Sequence, residues 1–404
     1  MKTGLDIHLG SPAWGCDFFD REEIIDDCWE KLKTNSIILS APRRYGKSSI
    51  MLRLRDNPRP GFFPIYFELE DRFHLTEFLN GFVDSILKND QVLMKKYQKR
   101  VSKFLRKIEE VSFLKLIDLK FKKDSEAQDD WRGQITRLIS ELLDEKKEQK
   151  LVFIFDEFPL MLTNFLGNNE KGKNEAVEVL HWLRSLRQDP IFLKYIRFVF
   201  GGSIGLEKVV SYLNASRTIN DIDGVPIGPF KRETAGELLK QLFQAKEIAA
   251  GEKVIQKILD IVGDMIPIYL QIMIDATIKE AKNTGRQITP QLVQECYEKR
   301  VHGPEYRRYF EDYYERLCRY YSPEDSKCSK RILRELANAD DGITCSRLFQ
   351  IYAEEMGSRF DKDKFEILLA ALESDFYIER DLAKEKVYFR NRWLKDWWRL
   401  HHGL

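Results

Sequence analysis

Apolar positions along this chain follow two periods, and the change between them divides it. In the first half, short apolar runs recur at strand length: Ile37-Ile38-Leu39, Phe62 to Leu69, Leu151 to Phe155 and Tyr195 to Phe200, with a shorter one through Val225-Pro226-Ile227. Strand and helix patterns alternate here, which predicts an α/β fold with a parallel sheet and helices on both faces. Leu151-Val152-Phe153-Ile154-Phe155 is apolar throughout, as a strand covered on both faces requires. Pro64 cannot donate to a ladder, so the second run is an early or edge strand. An acidic, amphipathic helix start at Asp20 to Ile25 precedes the first strand. From about His74 to Lys150 the pattern is helical and highly charged, with a basic stretch at Lys95 to Lys107 and a loop near Phe121 to Asp130.

After Lys231 the strand period disappears. Helical spacing runs through Glu233 to Gln244, Glu252 to Val262 and Pro267 to Asn283. An aromatic-rich unit follows from about Arg307, with helices over Tyr309 to Tyr320, Lys327 to Ala339, Thr344 to Met356 and Asp363 to Ser374. Phe376 to Arg380 and Lys386 to Arg390 then form a two-stranded hairpin. Helices followed by one hairpin describe a winged-helix-like domain. The expected organisation is an α/β core over 1–230 with a helical insertion at about 74–150, a helical lid over 231–303, and the winged-helix-like domain over 304–404.

The chemistry is concentrated behind the first strand. Ala41-Pro42-Arg43-Arg44-Tyr45-Gly46-Lys47-Ser48-Ser49 follows the G-x-x-x-x-G-K-[ST] spacing with alanine at the first glycine. Such a loop, between a strand and a helix, turns several backbone N–H groups toward one point, where the helix N-terminus favours an anion. Gly46 admits a phosphate close to the backbone, Lys47 reaches the β- and γ-phosphates, and the Ser48 hydroxyl ligates Mg²⁺. The apolar strand before the loop and Ile50-Met51-Leu52 opening a helix after it are the context this reading needs, against a chance match of solvated basic residues. A second signal stands at Asp156-Glu157, at the C-terminal end of the third strand, where open α/β sheets bind ligands. Asp156 is expected to hold Mg²⁺ through water, and Glu157 to orient and deprotonate the attacking water. The fold class is therefore a P-loop NTPase sheet, with ATP and Mg²⁺ as cofactors.

Composition narrows the partners. Charged residues form 32% of the 404 residues but nearly cancel to a net +1, which argues against a globally basic nucleic-acid binder and leaves room for a local patch. No apolar run reaches the roughly 18 residues of a membrane span, and there is no signal-peptide core, so a cytoplasmic protein is expected. None of the six cysteines is spaced C-x-x-C, which implies neither a zinc site nor a disulfide framework.

These motifs resemble those of AAA+/STAND-type ATPases, the archaeal ATPase-like P-loop proteins of bacteria and archaea. The likeness runs through Phe18-Phe19-Asp20-Arg21-Glu22 (F-F-G-R-E in the family), the A-P-R-R-Y-G-K-S loop, Ile154 to Glu157, and Gly202-Ser203. It continues through Gly263 to Gln271 and the ending Phe389 to Trp398. Asp20 and Ala41 depart from the family's glycines. The resemblance implies that Ser203 is a polar sensor near the γ-phosphate; a strand-capping serine is the alternative. It implies that Gly263 to Gln271, with Pro267, closes over the nucleotide. Arg217 lies where AAA+ proteins often carry an arginine finger for a neighbouring subunit, or it is a solvated arginine. Arg43 and Arg44 either steady phosphates or form salt bridges, and Tyr45 packs against the helix or the ligand.

The last stretch, Lys386 to Arg399, interleaves basic residues with Tyr388, Phe389, Trp393, Trp397 and Trp398. That pattern suits nucleic acid or, the favoured reading, an amphipathic helix docking its tryptophans on the ATPase core. Three functions are compatible with the whole: a nucleotide-controlled switch or assembly ATPase acting on itself or a partner protein, a DNA-handling AAA+ ATPase, and, more weakly, a small-molecule kinase. The near-neutral C-terminal charge favours the first.

Overall fold

The computed structural model describes residues 5–89, 131–146, 149–167, 169–202 and 205–403. The basic stretch at Lys95 to Lys107, the loop expected near Phe121 to Asp130 and Ser203 lie outside the described residues. The chain divides into two compact units: Arg21–Ala41 with Lys47–Ile227, and Met1–Asp20 with Pro42–Gly46 and Gly228–Leu404.

The first unit holds β1 (Ser36–Ser40), β2 (Phe62–Glu68), β3 (Lys150–Asp156), β4 (Ile196–Gly201) and β5 (Ile222–Pro226). They form a parallel sheet in the order β2-β3-β4-β1-β5. β2 is an edge strand, which accommodates Pro64. The helices are α1 (Glu22–Leu32), α2 (Lys47–Asp56), α3 (Leu75–Asn89), α4 (Trp131–Glu145), α5 (Phe158–Leu166), α6 (Asn169–Gln188) and α7 (Leu206–Tyr212). β3 and β4 are central, and every residue of Leu151 to Asp156 and Ile196 to Gly201 is buried. Aromatic residues of the sheet interlock with α3 and α5: Phe67 of β2 stacks on Phe82 at 4.8 Å and Phe200 of β4 meets Phe158 at 5.0 Å. Each such ring pair adds about 0.5–1.5 kcal/mol beyond the area it buries. α2 lies so close to the sheet that a Cβ on Gly201 would sit 2.0 Å from the Met51 methyl. Glycine at the end of β4 thus lets the helix behind the candidate loop seat against the strands.

The second unit holds α8 (Arg232–Ala245), α9 (Glu252–Val262), α10 (Pro267–Thr284), α11 (Pro290–Cys296), α12 (Pro304–Tyr320), α13 (Pro323–Asn338), α14 (Cys345–Met356), α15 (Lys362–Ser374) and α16 (Arg392–His402). Proline opens α10, α11, α12 and α13 at the first turn, where its missing N–H has no helical partner to lose. The expected hairpin is present as β7 (Ile378–Asp381) and β8 (Lys386–Phe389). It is not two-stranded: β6, only Ile343–Thr344, pairs with β8 to make a third strand. Two residues are too few to show a strand period, and Thr344 also caps α14 through the Arg347 N–H. One hydrophobic cluster runs from Phe230 to Trp398 through all these helices.

α16 buries Trp393, Trp397 and Trp398. Trp393 stacks on Tyr269 at 4.8 Å and donates its Nε1–H to the Ile261 carbonyl at 3.0 Å. The tryptophans therefore dock within their own unit, Trp393 on α9 and α10 and Trp397 and Trp398 on Phe310 and Tyr314 of α12, whereas the sequence pattern suggested the ATPase core. Periodicity identifies an apolar face but not which surface covers it.

His302 lies beneath this cluster, its ring 5.2 Å from Tyr297 and 5.5 Å from Phe310. Neither ring nitrogen has a hydrogen-bond partner among the described residues. Burial lowers its pKa from 6.5 to about 4, opposed by Asp396 and reinforced by His401. A neutral imidazole in the fold that charges when unfolded contributes stability above pH 6.5, lost as pH falls toward 4. That loss is on the order of 3 kcal/mol. Thermal unfolding followed from pH 7 to 4 should show this acid sensitivity in the wild type and a flatter profile in His302→Phe; parallel profiles would exclude His302 as its source.

Candidate nucleotide site

The loop Ala41 to Gly46 connects the end of β1 to the start of α2. Two of its residues have a left-handed backbone, Arg44 at φ 71° and Gly46 at φ 92°. Nothing lies within 4 Å of a Cβ built on Gly46, so glycine there answers to conformation, not crowding. Ala41 is not among the left-handed residues, so the loss of the motif's first glycine leaves the turn undisturbed. The other departure has its own account: Asp20 has φ 56°, a conformation glycine favours and aspartate tolerates through local hydrogen bonding.

The loop arginines have partners in the second unit, to which Pro42–Gly46 belongs. Arg43 pairs with Asp312 of α12 at 2.9 Å. The Arg44 guanidinium lies 4.6 Å from the ring centroid of Tyr309, also on α12. Tyr45 packs against that unit's hydrophobic cluster.

Within the first unit, Lys47 is buried and donates to the Ala41 carbonyl at 2.8 Å. The Ser48 hydroxyl hydrogen-bonds the Asp156 carboxylate. Asp156 Oδ1 also accepts from the Glu157 N–H at 3.1 Å, and Oδ2 accepts from the Tyr66 hydroxyl at 2.8 Å. Burial pushes the Asp156 carboxyl above the usual range. The Ser48 hydrogen bond opposes the rise, Glu157 adds to it, and the Tyr66 hydrogen bond and the Lys47 charge oppose it. Glu157 sits at φ 56°, ψ 33°, just before α5. A non-glycine residue held there costs on the order of 1–3 kcal/mol, a strain that clusters at functional positions.

The structure thus brings Lys47, Ser48 and Asp156 together, with Glu157 next in the chain. Ser49 lies in the first turn of α2. Pro267 opens α10 in the second unit, after Ile266. Arg217 is exposed in the short 3₁₀ turn Ser216–Ile219. Tyr66 escaped the sequence reading, since an aromatic residue on an edge strand is ordinary. Its meaning depends on strand pairing. Tyr66 faces Ile154 and Glu68 faces Asp156, so Tyr66 and Asp156 are diagonal neighbours on one face of the sheet.

Among the described residues, no group of three or more His, Cys, Asp or Glu could hold a metal by itself. A nucleotide-bound Mg²⁺ asks for less, one or two protein oxygens beside phosphates and water. Asp156 and Ser48 form such a pair, and a buried carboxylate raised by desolvation is one that a cation relieves. No described helix is long and apolar enough to cross a membrane.

No protein-family model matches the sequence, and no curated protein matches it. Solved structures do. A Walker-type ATPase of Pyrococcus abyssi matches with a TM-score of 0.64 and 21% identity, over 97% of this chain and 99% of that one. The ORC2 protein of Aeropyrum pernix, in ADPNP–ADP complexes, matches with a TM-score of 0.54 and 13% identity, over 93% of this chain and 92% of that one. With the parallel sheet, its flanking helices and the helical second unit, these likenesses give the chain an AAA+-like P-loop NTPase fold.

The raised Asp156 carboxyl has a measurable consequence. A carboxyl that holds its proton more tightly folded than unfolded lowers stability as pH rises through the interval between the two values. The stability of Asp156→Asn relative to wild type should therefore increase from pH 4 to pH 7 in nucleotide-free thermal unfolding. A difference constant with pH would place the carboxyl in its ordinary range.

Proposed function

We propose that this protein binds and hydrolyses ATP with Mg²⁺ and uses the nucleotide as a switch, acting on its own second unit or on a partner. The observation that carries the chemistry is the buried Asp156 carboxylate, hydrogen-bonded to Ser48 and drawn by Lys47 behind a strand–loop–helix of phosphate-loop spacing. The Aeropyrum protein of similar fold, solved with ADPNP and ADP, supports the choice of ligand.

In this reading the N–H groups of Pro42 to Ser49, proline excepted, hold the phosphates. Lys47 exchanges the Ala41 carbonyl for the β- and γ-phosphate oxygens. Ser48 and Asp156 hold Mg²⁺, which when bound neutralises charge on the phosphates. Glu157 accepts the proton of water as the water oxygen bonds to the γ-phosphorus, and the bond to the β–γ bridging oxygen breaks to leave ADP and phosphate. In this reading Ser203 is the polar sensor near the γ-phosphate and Pro267 lies in the segment that closes over the nucleotide, while Arg217 is a solvated arginine in preference to a finger for a neighbouring subunit.

The switch is supported by the pairing of Arg43 with Asp312 and of Arg44 with Tyr309. A γ-phosphate that recruits Arg43 removes a charge partner from α12. Tyr377 of the segment entering the hairpin donates to the Tyr313 carbonyl of α12 at 2.6 Å, so a shift of α12 reaches the hairpin. The burial of Trp393, Trp397 and Trp398 weighs against the DNA-handling alternative, because buried rings cannot stack on bases.

Lys47→Ala is expected to abolish nucleotide binding, and Glu157→Gln to keep binding while hydrolysis falls by two orders of magnitude or more, about what a general base contributes. Normal turnover in Glu157→Gln would overturn the catalytic assignment. Asp312→Asn frees Arg43 from a partly exposed pair worth about 0.2–1 kcal/mol, so ATP affinity should rise by up to about five-fold. It should also erase any ATP-dependent change in hydrogen exchange along α12; if exchange there responds to ATP as in the wild type, the switch does not run through this pair.

A further inference from the structure

We infer that Tyr66 is a positioning residue for the Mg²⁺ site, holding the Asp156 carboxylate in its metal-binding orientation, an inference that rests on the nucleotide reading of the same site. The Tyr66 hydroxyl donates to Asp156 Oδ2 at 2.8 Å, while Oδ1 takes the Glu157 N–H at 3.1 Å. With the Ser48 hydroxyl, three donors from three elements converge on one carboxylate. A carboxylate so anchored cannot turn about its Cβ–Cγ bond without breaking at least one of these contacts. It therefore presents a fixed edge to a cation, as outer-shell donors arrange for metal-ligating carboxylates.

The donor is itself well held. Tyr66 sits on β2 opposite Ile154, and the pleat sets its side chain on the face that carries Asp156. The Arg55 guanidinium, near the end of α2, lies 5.6 Å from the Tyr66 ring centroid, and Asp56 engages that guanidinium at 2.6 Å. α2 begins at Lys47 and Ser48, so one helix supplies the loop's chemistry at its start and covers the tyrosine with its final turn. Burial and the neighbouring Asp156 push the phenol well above its ordinary range, which keeps it a neutral donor. The hydrogen bond favours the charged form of Asp156, because it opposes the rise that burial imposes on the carboxyl.

Tyr66→Phe keeps the ring and removes only the donor. Binding of ADP in EDTA, followed by calorimetry, should match the wild type. The Mg²⁺ concentration that half-saturates the fluorescence of a bound ribose-labelled ATP analogue should rise by about ten-fold or more, the usual effect of losing an outer-shell partner. Tyr66→Leu should show the same Mg²⁺ defect, so the result does not depend on one variant's folding. Wild-type Mg²⁺ dependence in both variants would overturn the inference and leave the nucleotide reading standing. A wild-type protein that binds neither ADP nor the analogue would overturn that reading itself, and this inference with it.

Discussion

A carboxylate at the end of a fully covered strand is the constraint on which the candidate site depends. β3 is buried along its length, so its last residue, Asp156, enters a region with little water. An ionised group there is stable only with donors and cations around it. Tyr66, Ser48 and the Glu157 N–H supply the donors, and Lys47 supplies nearby charge. The three donors come from different places, an edge strand, a helix start and a strained turn, and Lys47 shares the helix start with Ser48. The raised carboxyl lowers the stability of the fold as pH rises, and in the proposed function a cation would offset that cost.

The loop ahead of Lys47 serves two environments. Its glycine and its left-handed Arg44 shape the backbone, while Arg43 and Arg44 reach Asp312 and Tyr309 of α12. A partly exposed ion pair contributes little to stability, about 0.2–1 kcal/mol, which in the proposed switch is an energy that a ligand can readily offset.

The second unit is stabilised as a single body of aromatic packing. Trp393 against Tyr269, Phe310 against Trp397 and Tyr377 beneath Tyr313 tie the terminal helix and the hairpin to the helices before them. His302, whose ring nitrogens have no hydrogen-bond partner among the described residues, is the cost of that packing, a polar ring enclosed by others. Arg392 and Arg399, on either side of the tryptophans, remain at the surface, while Lys395 between them is half-buried and donates to the Ala339 carbonyl.

Local chemistry was legible without coordinates. The unbroken apolar run of β3, the proline of an edge strand, the prolines that open helices and the glycine of the phosphate loop each report a backbone requirement within a few residues. Hence the strands, most helices from Arg232 onward and the loop around Gly46 stand close to where the sequence puts them, while the short α11 was not among the expected helices. What the sequence could not supply were relations across space. β6 is too short to carry a period and exists only because β8 lies beside it. The tryptophans had an apolar face but no address. Tyr66 became a partner of Asp156 only when β2 paired with β3 in a register that sets them diagonally. By itself the sequence determined the strand, loop and helix around Gly46 and nominated residues for phosphate and metal chemistry, because both follow from residue type and spacing. Tertiary structure decided which groups hold them, because hydrogen bonds and burial depend on neighbours that only strand order and register bring together.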